Sequence, residues 1–500
     1  MITVVFLITV ALIAGMVSHV SPSQYLEIRT WYDLNAIRDN LGGSYLLMND
    51  LDSTTPGYEE LASETANQGK GWQPIGAFIH QQVDHGVLGF EGTFDGQGHE
   101  IRDLFINRPD EDVVGLFFRV GEEGVIKEIG VVNATVTGHL FVGTLVGWNH
   151  GAVRDSYFTG NMTGDGFFVG GLVGGNFGTV SDSHSTGSVT GNSSIGGLVG
   201  QNYGTVSNSY SSANVVGTLG VGGLVGTGAG TVSKSYFRGN ATGEGFVGGL
   251  IGSNDIGGTL TNSYSTGSVT GNHTVGGLVG YTFDGTVSDS YSTASVTGNY
   301  TVGGLVGQNE RSTVSNSFWD TETSEQTTSD GGTGKTTAEM KSMATFSGAG
   351  WNIIAVANPG TRNPSYIWNI VDGQTYPFLS WAQSSIPTNK QPVDVLSVIG
   401  PLSPINPGGP IVEITLKNVS SDPVTSLSAT LQLNRAFNFN FDVTSSNPLL
   451  PDKSISARLT LITGGFSDNI SYSLAINGTL QDGEIFSYTK QVQIVMLNNK

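Results

Sequence analysis

The sequence predicts an all-β chain built around a right-handed parallel β-helix, a three-sided solenoid of about 27 residues per coil. Three observations carry this. A hexapeptide around Gly-Gly-Leu-Val-Gly recurs, with leucines at Leu145, Leu172, Leu198, Leu224, Leu250, Leu278 and Leu305, and Leu116 is a divergent first copy. A second element, Gly-Thr-Val-Ser-x-Ser-Tyr, keeps the same period, with copies at Val153, Val180, Val206, Val232, Leu260, Val287 and Val314. Charged residues make up only 12% of the chain, while Gly is abundant and Val, Ile, Thr, Tyr and Phe cluster in short runs, which is strand chemistry rather than disorder.

The first element explains a bend. Val169 and Leu172 are three residues apart and would face opposite ways in a straight strand. A bend at Gly170-Gly171 turns both inward, and glycine tolerates the backbone angles a bend requires. In the second element the serine never changes: Ser156, Ser183, Ser209, Ser235, Ser263, Ser290 and Ser317. The next position is aromatic, at Tyr157, His184, Tyr210, Tyr236, Tyr264, Tyr291 and Phe318, and its parity with the preceding valine predicts an aromatic ladder inside the core. The position before the serine holds Asp155, Asp182, Asn208, Lys234, Asn262, Asp289 and Asn316. A lysine there must reach solvent, which places a second bend at this site. A third element, Gly-x-Val-Thr-Gly, as at Val189, Val269 and Val296, completes the coil. The alternatives fail on period, since a propeller blade needs about 40 residues and a leucine-rich repeat has a different leucine and asparagine pattern.

The flanks read differently. Residues 1–23 predict a signal peptide: Ile2 to Val17 is apolar and uncharged, and Ser18 to Gln24 is small and polar, although no Lys or Arg precedes the run. Residues 24–113 predict an N-terminal cap and first coils, with Trp31, Leu34, Ile37 and Leu41 at helical spacing and a strand at Tyr45 to Met48. The solenoid spans 114–320. Residues 321–335 are Thr/Ser/Gly-rich and read as a loop, and the aromatic density of 336–383 suits the rest of a C-terminal cap over 321–383. Residues 384–410 read as a linker, and 411–500 as an immunoglobulin-like β-sandwich without its disulfide.

The repeats resemble the GLUG-repeat family, through copies such as Gly222-Gly223-Leu224-Val225-Gly226, over residues 114–320. Gly92 to Ile106 before the repeats and Ser317 to Trp381 after them also look like parts that accompany such repeats. The resemblance implies a β-solenoid in exported, adhesin-like surface proteins. It assigns no catalytic residue to the repeat, and the C-terminal domain lies outside it.

Composition narrows the chemistry. The net charge of −20 argues against nucleic acid, whose phosphates need a Lys/Arg surface. The absence of cysteine excludes disulfides, thiolate zinc sites and a cysteine nucleophile. His99-Glu100-Ile101-Arg102-Asp103 opens like a zinc-protease helix, but Asp103 stands where the second histidine belongs. Gly334-Lys335-Thr336 lacks the glycine a phosphate loop needs at Ser329. Asp155 and Asp182, stacked one coil apart, are the calcium candidates, with solvated corners as the plainer reading. Nine Asn-x-Ser/Thr sites, from Asn133 to Asn477, are candidates for glycosylation. The sequence therefore predicts a non-enzymatic secreted or cell-surface protein that binds an extracellular glycan or protein, with the cell envelope as a candidate place of attachment. A polysaccharide-active β-helix enzyme and a self-associating envelope protein are the alternatives.

Overall fold

The computed structural model describes residues 25–78, 87–164, 166–382 and 393–402, and then strands and short segments between 411 and 493. The signal-peptide reading of residues 1–23 lies outside them.

The central region is a parallel β-solenoid in which like residues of successive coils are Cα partners. Each period contributes to four ladders. In the coil around Leu198 these are Ser193–Gly196, Val199–Asn202, Thr205–Ser207, and the pair Tyr210–Ser211 and Asn214–Val216. We call them the Val-Gly, Gly-Asn, Thr-Val-Ser and aromatic ladders. The first two have eight strands each, while the third gains strands from the N-terminal region and reaches eleven. At about 4.8 Å per step the Thr-Val-Ser ladder runs roughly 50 Å.

Inside, each coil stacks its apolar residues on their equivalents. Leu116, Leu145, Leu172, Leu198, Leu224, Leu250, Leu278 and Leu305 are all fully buried, as are Ile126, Val153, Val180, Val206, Leu260 and Val287. These columns form one continuous core that also takes in the N-terminal region. There, Thr30 and Asp33 form a capping box on a helix at Trp31–Ala36, which continues as a 3₁₀ turn at Ile37–Asp39 and buries Trp31, Leu34 and Ile37.

The bends are where expected, but glycine serves a different purpose from the one predicted. Gly170, Gly171 and their equivalents do not take positive φ. They are glycines because there is no room for a Cβ. At Gly196 it would overlap the Val199 carbonyl, and at Gly197 the Gly223 carbonyl and the Ser211 hydroxyl. At Gly200, the last glycine of the motif, it would overlap the backbone of Phe168 and Val169. The Gly-Gly-Leu-Val-Gly motif thus lets the Val-Gly and Gly-Asn strands press backbone against backbone.

The left-handed conformation falls instead on the polar corner. Asp155, Asp182, Asn208, Lys234, Asn262, Asp289 and Asn316 all have φ between 48 and 51°. Asn and Asp tolerate this region best among side-chain-bearing residues. This corner reverses the facing of the residues after it and overturns the expected interior aromatic ladder. The serine after the corner is buried, and the next residue, Tyr or His, points outward. One residue further on, the chain faces the core again, through Phe158, Ser185, Ser211, Phe237, Ser265, Ser292 and Trp319 in register. A large ring at every third coil fills the space beside two serines.

The invariant serine is explained by its bonds. Ser183 Oγ accepts from the Ser156 amide (3.2 Å) and donates to the Ser181 carbonyl (2.7 Å). The pattern repeats at Ser209, Ser235, Ser263, Ser290 and Ser317. Each hydroxyl satisfies a corner amide of the neighbouring coil that the ladder leaves over.

Residues 321–335, expected to be a loop, close the end of the rod. The Thr328 carbonyl accepts from Gly304, Ser329 Oγ accepts from the Leu305 and Val306 amides, and Thr333–Lys335 adds a strand beside Phe318–Asp320. These bonds occupy an edge that would otherwise template another chain. Residues 336–382 fold back along the side. Their Met340, Phe346, Trp351, Trp368 and Leu379 join Tyr236, Tyr264, Tyr291 and Phe318 in a second apolar cluster.

Beyond, among the described residues, seven antiparallel strands form two sheets, of three and four strands. The first, Val393–Leu402, occupies part of the expected linker, and Ala436–Asn440 is a strand the sequence reading omitted.

Candidate binding surface

Three outward features of the rod could carry function: the corner row, the aromatic ladder, and a strip of exposed rings on the Gly-Asn and Val-Gly faces.

At the corner, Asp155 and Asp182 take up the positions expected for the calcium candidates. The Asp155 carboxylate pairs with Arg154 (3.0 Å), and that of Asp182 accepts from Asn208 Nδ2 (3.2 Å). Among the described residues no group of three or more His, Asp or Glu gathers in a way that could hold a metal. His99 pairs with Asp50 (3.1 Å), and Glu100 lies on a strand between Arg102 and the Tyr157 hydroxyl, so this segment is not a metal-binding helix. Burial and the Glu100 carboxylate push the Tyr157 hydroxyl well above the usual phenol range. Asn133, Asn161, Asn192, Asn240 and Asn299, five of the glycosylation candidates, are exposed.

Along the aromatic ladder the rings stack face to face. Tyr157, His184, Tyr210, Tyr236, Tyr264 and Tyr291 follow one another at 4.7–5.1 Å and within 13° of parallel. Burial between two tyrosines pulls the His184 imidazole down to about 4, and burial between His184 and Tyr236 pushes the Tyr210 hydroxyl up to about 12. Residues 336–382 cover the distal half. Three indoles bind the corner row: Trp351 Nε1 donates to the Asn316 carbonyl (2.8 Å), Trp368 to Asn262 Oδ1 (3.2 Å) and Trp381 to the Lys234 carbonyl (3.0 Å). The Tyr291 hydroxyl donates to the Pro377 carbonyl (2.6 Å).

The third feature was not anticipated from the sequence. On the Gly-Asn face, His150, Phe177 and Tyr203 are one column, stacked at 4.9 and 5.4 Å. Trp148 stands against His150 and Phe177 and stacks on Phe141, which stacks on Phe168. Phe167, Phe177 and Tyr203 are 46, 38 and 49% exposed. Beneath this strip runs a buried amide ladder: Asn149 Nδ2 donates to Asn176 Oδ1, and Asn176 Nδ2 to Asn202 Oδ1, both at 2.8 Å. The sequence signal was available, as an Asn-aromatic-Gly tripeptide following the motif in successive copies at His150, Phe177 and Tyr203.

The fold and this surface define a parallel β-solenoid repeat protein with an exposed aromatic strip. The family model of the GLUG motif matches residues 168–190, 191–216 and 271–297. Halomucin of Haloquadratum walsbyi is 32% identical over 158 residues, which is 31% of this chain and 2% of that protein. A Gly-rich protein of Evansella cellulosilytica, named as a candidate membrane protein, is 34% identical over 134 residues, 25% of this chain and 13% of that protein. The match thus spans a small part of either relative. Among solved structures, a candidate immunoglobulin A1 protease from Bacteroides ovatus overlaps 72% of this chain and 94% of its own at 17% identity, with a TM-score of 0.34, too low to carry an argument.

Proposed function

We propose that this chain is a non-catalytic repeat protein of the cell exterior that binds an extracellular glycan or protein through the aromatic strip. The carrying observation is the gathering of Phe141, Trp148, Phe167, Phe168, Phe177 and Tyr203 on adjacent coils, with Phe167, Phe177 and Tyr203 well exposed. Partly exposed rings gathered in one place mark a contact surface, since their burial by a ligand releases apolar area from water. A rigid ladder holds them at fixed spacing, so little ordering entropy is lost on binding. The net charge of −20 and a core that needs no disulfide suit a secreted chain. The relatives' names, a halomucin and a membrane protein, fit a surface setting. The seven C-terminal strands serve in this reading as an immunoglobulin-like spacer or attachment domain.

The test is a screen of the full chain on a glycan array and against extracellular matrix proteins, with and without calcium, beside a Trp148→Ala/Phe177→Ala variant. Binding that the variant loses supports the strip. Binding that the variant keeps, or cleavage of an arrayed polysaccharide, overturns it.

A further inference from the structure

The column of rings on the Gly-Asn face stops abruptly. His150, Phe177 and Tyr203 stack in turn, and the position one coil beyond Tyr203 is Ala229. Ala229 lies between Gly228 and Gly230, so this coil has neither the amide nor the ring that its predecessors carry. The coil after that is in place: its Asp255 amide donates to the Gly228 carbonyl (2.9 Å), and Asp255 Oδ1 accepts from Ser253 Oγ (2.7 Å). One face of Tyr203 is stacked on Phe177. The other looks across a floor of Gly228-Ala229-Gly230 towards Asp255 and the exposed Ile256. Two coil steps separate the Tyr203 and Asp255 rows, roughly 9–10 Å, which leaves room for one six-membered ring.

We propose that this notch seats a single pyranose ring of gluco configuration, continuing the stack where the protein omits its own ring. The proposal rests on the glycan form of the reading above. The chemistry of the walls selects the class. The Tyr203 face is electron-rich and apolar, and it matches a ring face lined with axial C–H groups, as equatorially substituted pyranoses present on both sides. Asp255, two rows on, carries a carboxylate whose Oδ1 accepts from Ser253 Oγ; as an acceptor only, it matches sugar hydroxyl donors and disfavours the side chain of a Phe or Leu from a protein partner. The next ring-bearing position in the column, Phe283, lies beyond Asp255, so the notch has a fixed width of one unit.

The test is calorimetric titration of the full chain with cellohexaose and with the β-1,4-linked hexamer of N-acetylglucosamine. One of the two is expected to bind. Ala229→Tyr fills the space with a ring of the kind Tyr203 already supplies, and should weaken binding roughly tenfold or more. Tyr203→Ala should do the same by removing the shelf, and Asp255→Asn should weaken it less. Ala229→Leu is the smaller filling variant should the tyrosine alter the melting temperature. Equal binding by wild type and both filled variants overturns the notch. If Trp148→Ala/Phe177→Ala still lowers that binding, the broader strip reading survives. Failure of both hexamers to bind wild type also overturns the notch, and the array screen then decides the strip separately.

Discussion

The two halves of the aromatic ladder have nearly the same sequence and different fates. Tyr236, Tyr264 and Tyr291 are at most 2% exposed, covered by Trp351, Trp368 and Trp381, whereas Tyr157, His184 and Tyr210, built on the same Ser-aromatic step, are only partly buried. The repeat therefore supplies one surface, and a segment far away in sequence decides which part of it is used internally. The indoles address the corner row, two of them through backbone carbonyls, so the cover reads the shape of the coil more than its side chains.

The sharpest way to break this comparison is Trp368→Ala. Trp368 is fully buried against Tyr264, Tyr291 and Trp351, and its loss should cost about 3–5 kcal/mol. Thermal unfolding should fall, and hydrogen exchange should rise at residues 336–382 while the N-terminal coils stay protected. A change spread evenly over the rod would contradict independent cover.

Acid should weaken the open half first. His184 titrates near 4 in the folded chain against an ordinary value of 6.5. The unfolded state then binds its proton first, so the stability from this group is complete above about pH 6.5 and is lost as pH falls towards 4, by roughly 2–3 kcal/mol. His184→Tyr should remove that loss, as read by urea unfolding at pH 7 and pH 4.5. An unchanged pH dependence in the variant would place the sensitivity elsewhere.

The serine ladder sharpens the comparison by running beneath both halves. Ser209→Ala and Ser263→Ala each leave a buried amide without its acceptor, and each should cost about 1–3 kcal/mol. Equal losses would show that the inner lattice is indifferent to the cover. The smallest effect expected is that of Trp381→Phe, which keeps a ring over Tyr236 but gives up the bond to the Lys234 carbonyl, about 1 kcal/mol.

Much of the coil was legible in the sequence because its determinants are local and repeated. The period gave the stack, and the Lys234 position gave the solvent-facing corner. What misled was parity: counting alternate residues from Val180 to His184 assumes a straight strand, and the left-handed residue at Asp182 reverses the facing between them. The exposed strip was missed because His150, Phe177 and Tyr203 vary in type and were absorbed into the motif, although their common place after a buried asparagine marks them as one column.

The sequence by itself determined the repeat, its register and its inward leucines and valines, because a fixed period in a glycine-rich chain leaves few ways to bury them. Tertiary structure alone decided which glycines exist for close approach, which half of the tyrosine ladder is covered, and where the column of surface rings ends. Each of these depends on what the neighbouring coil, or a segment some hundred residues away, places against the chain.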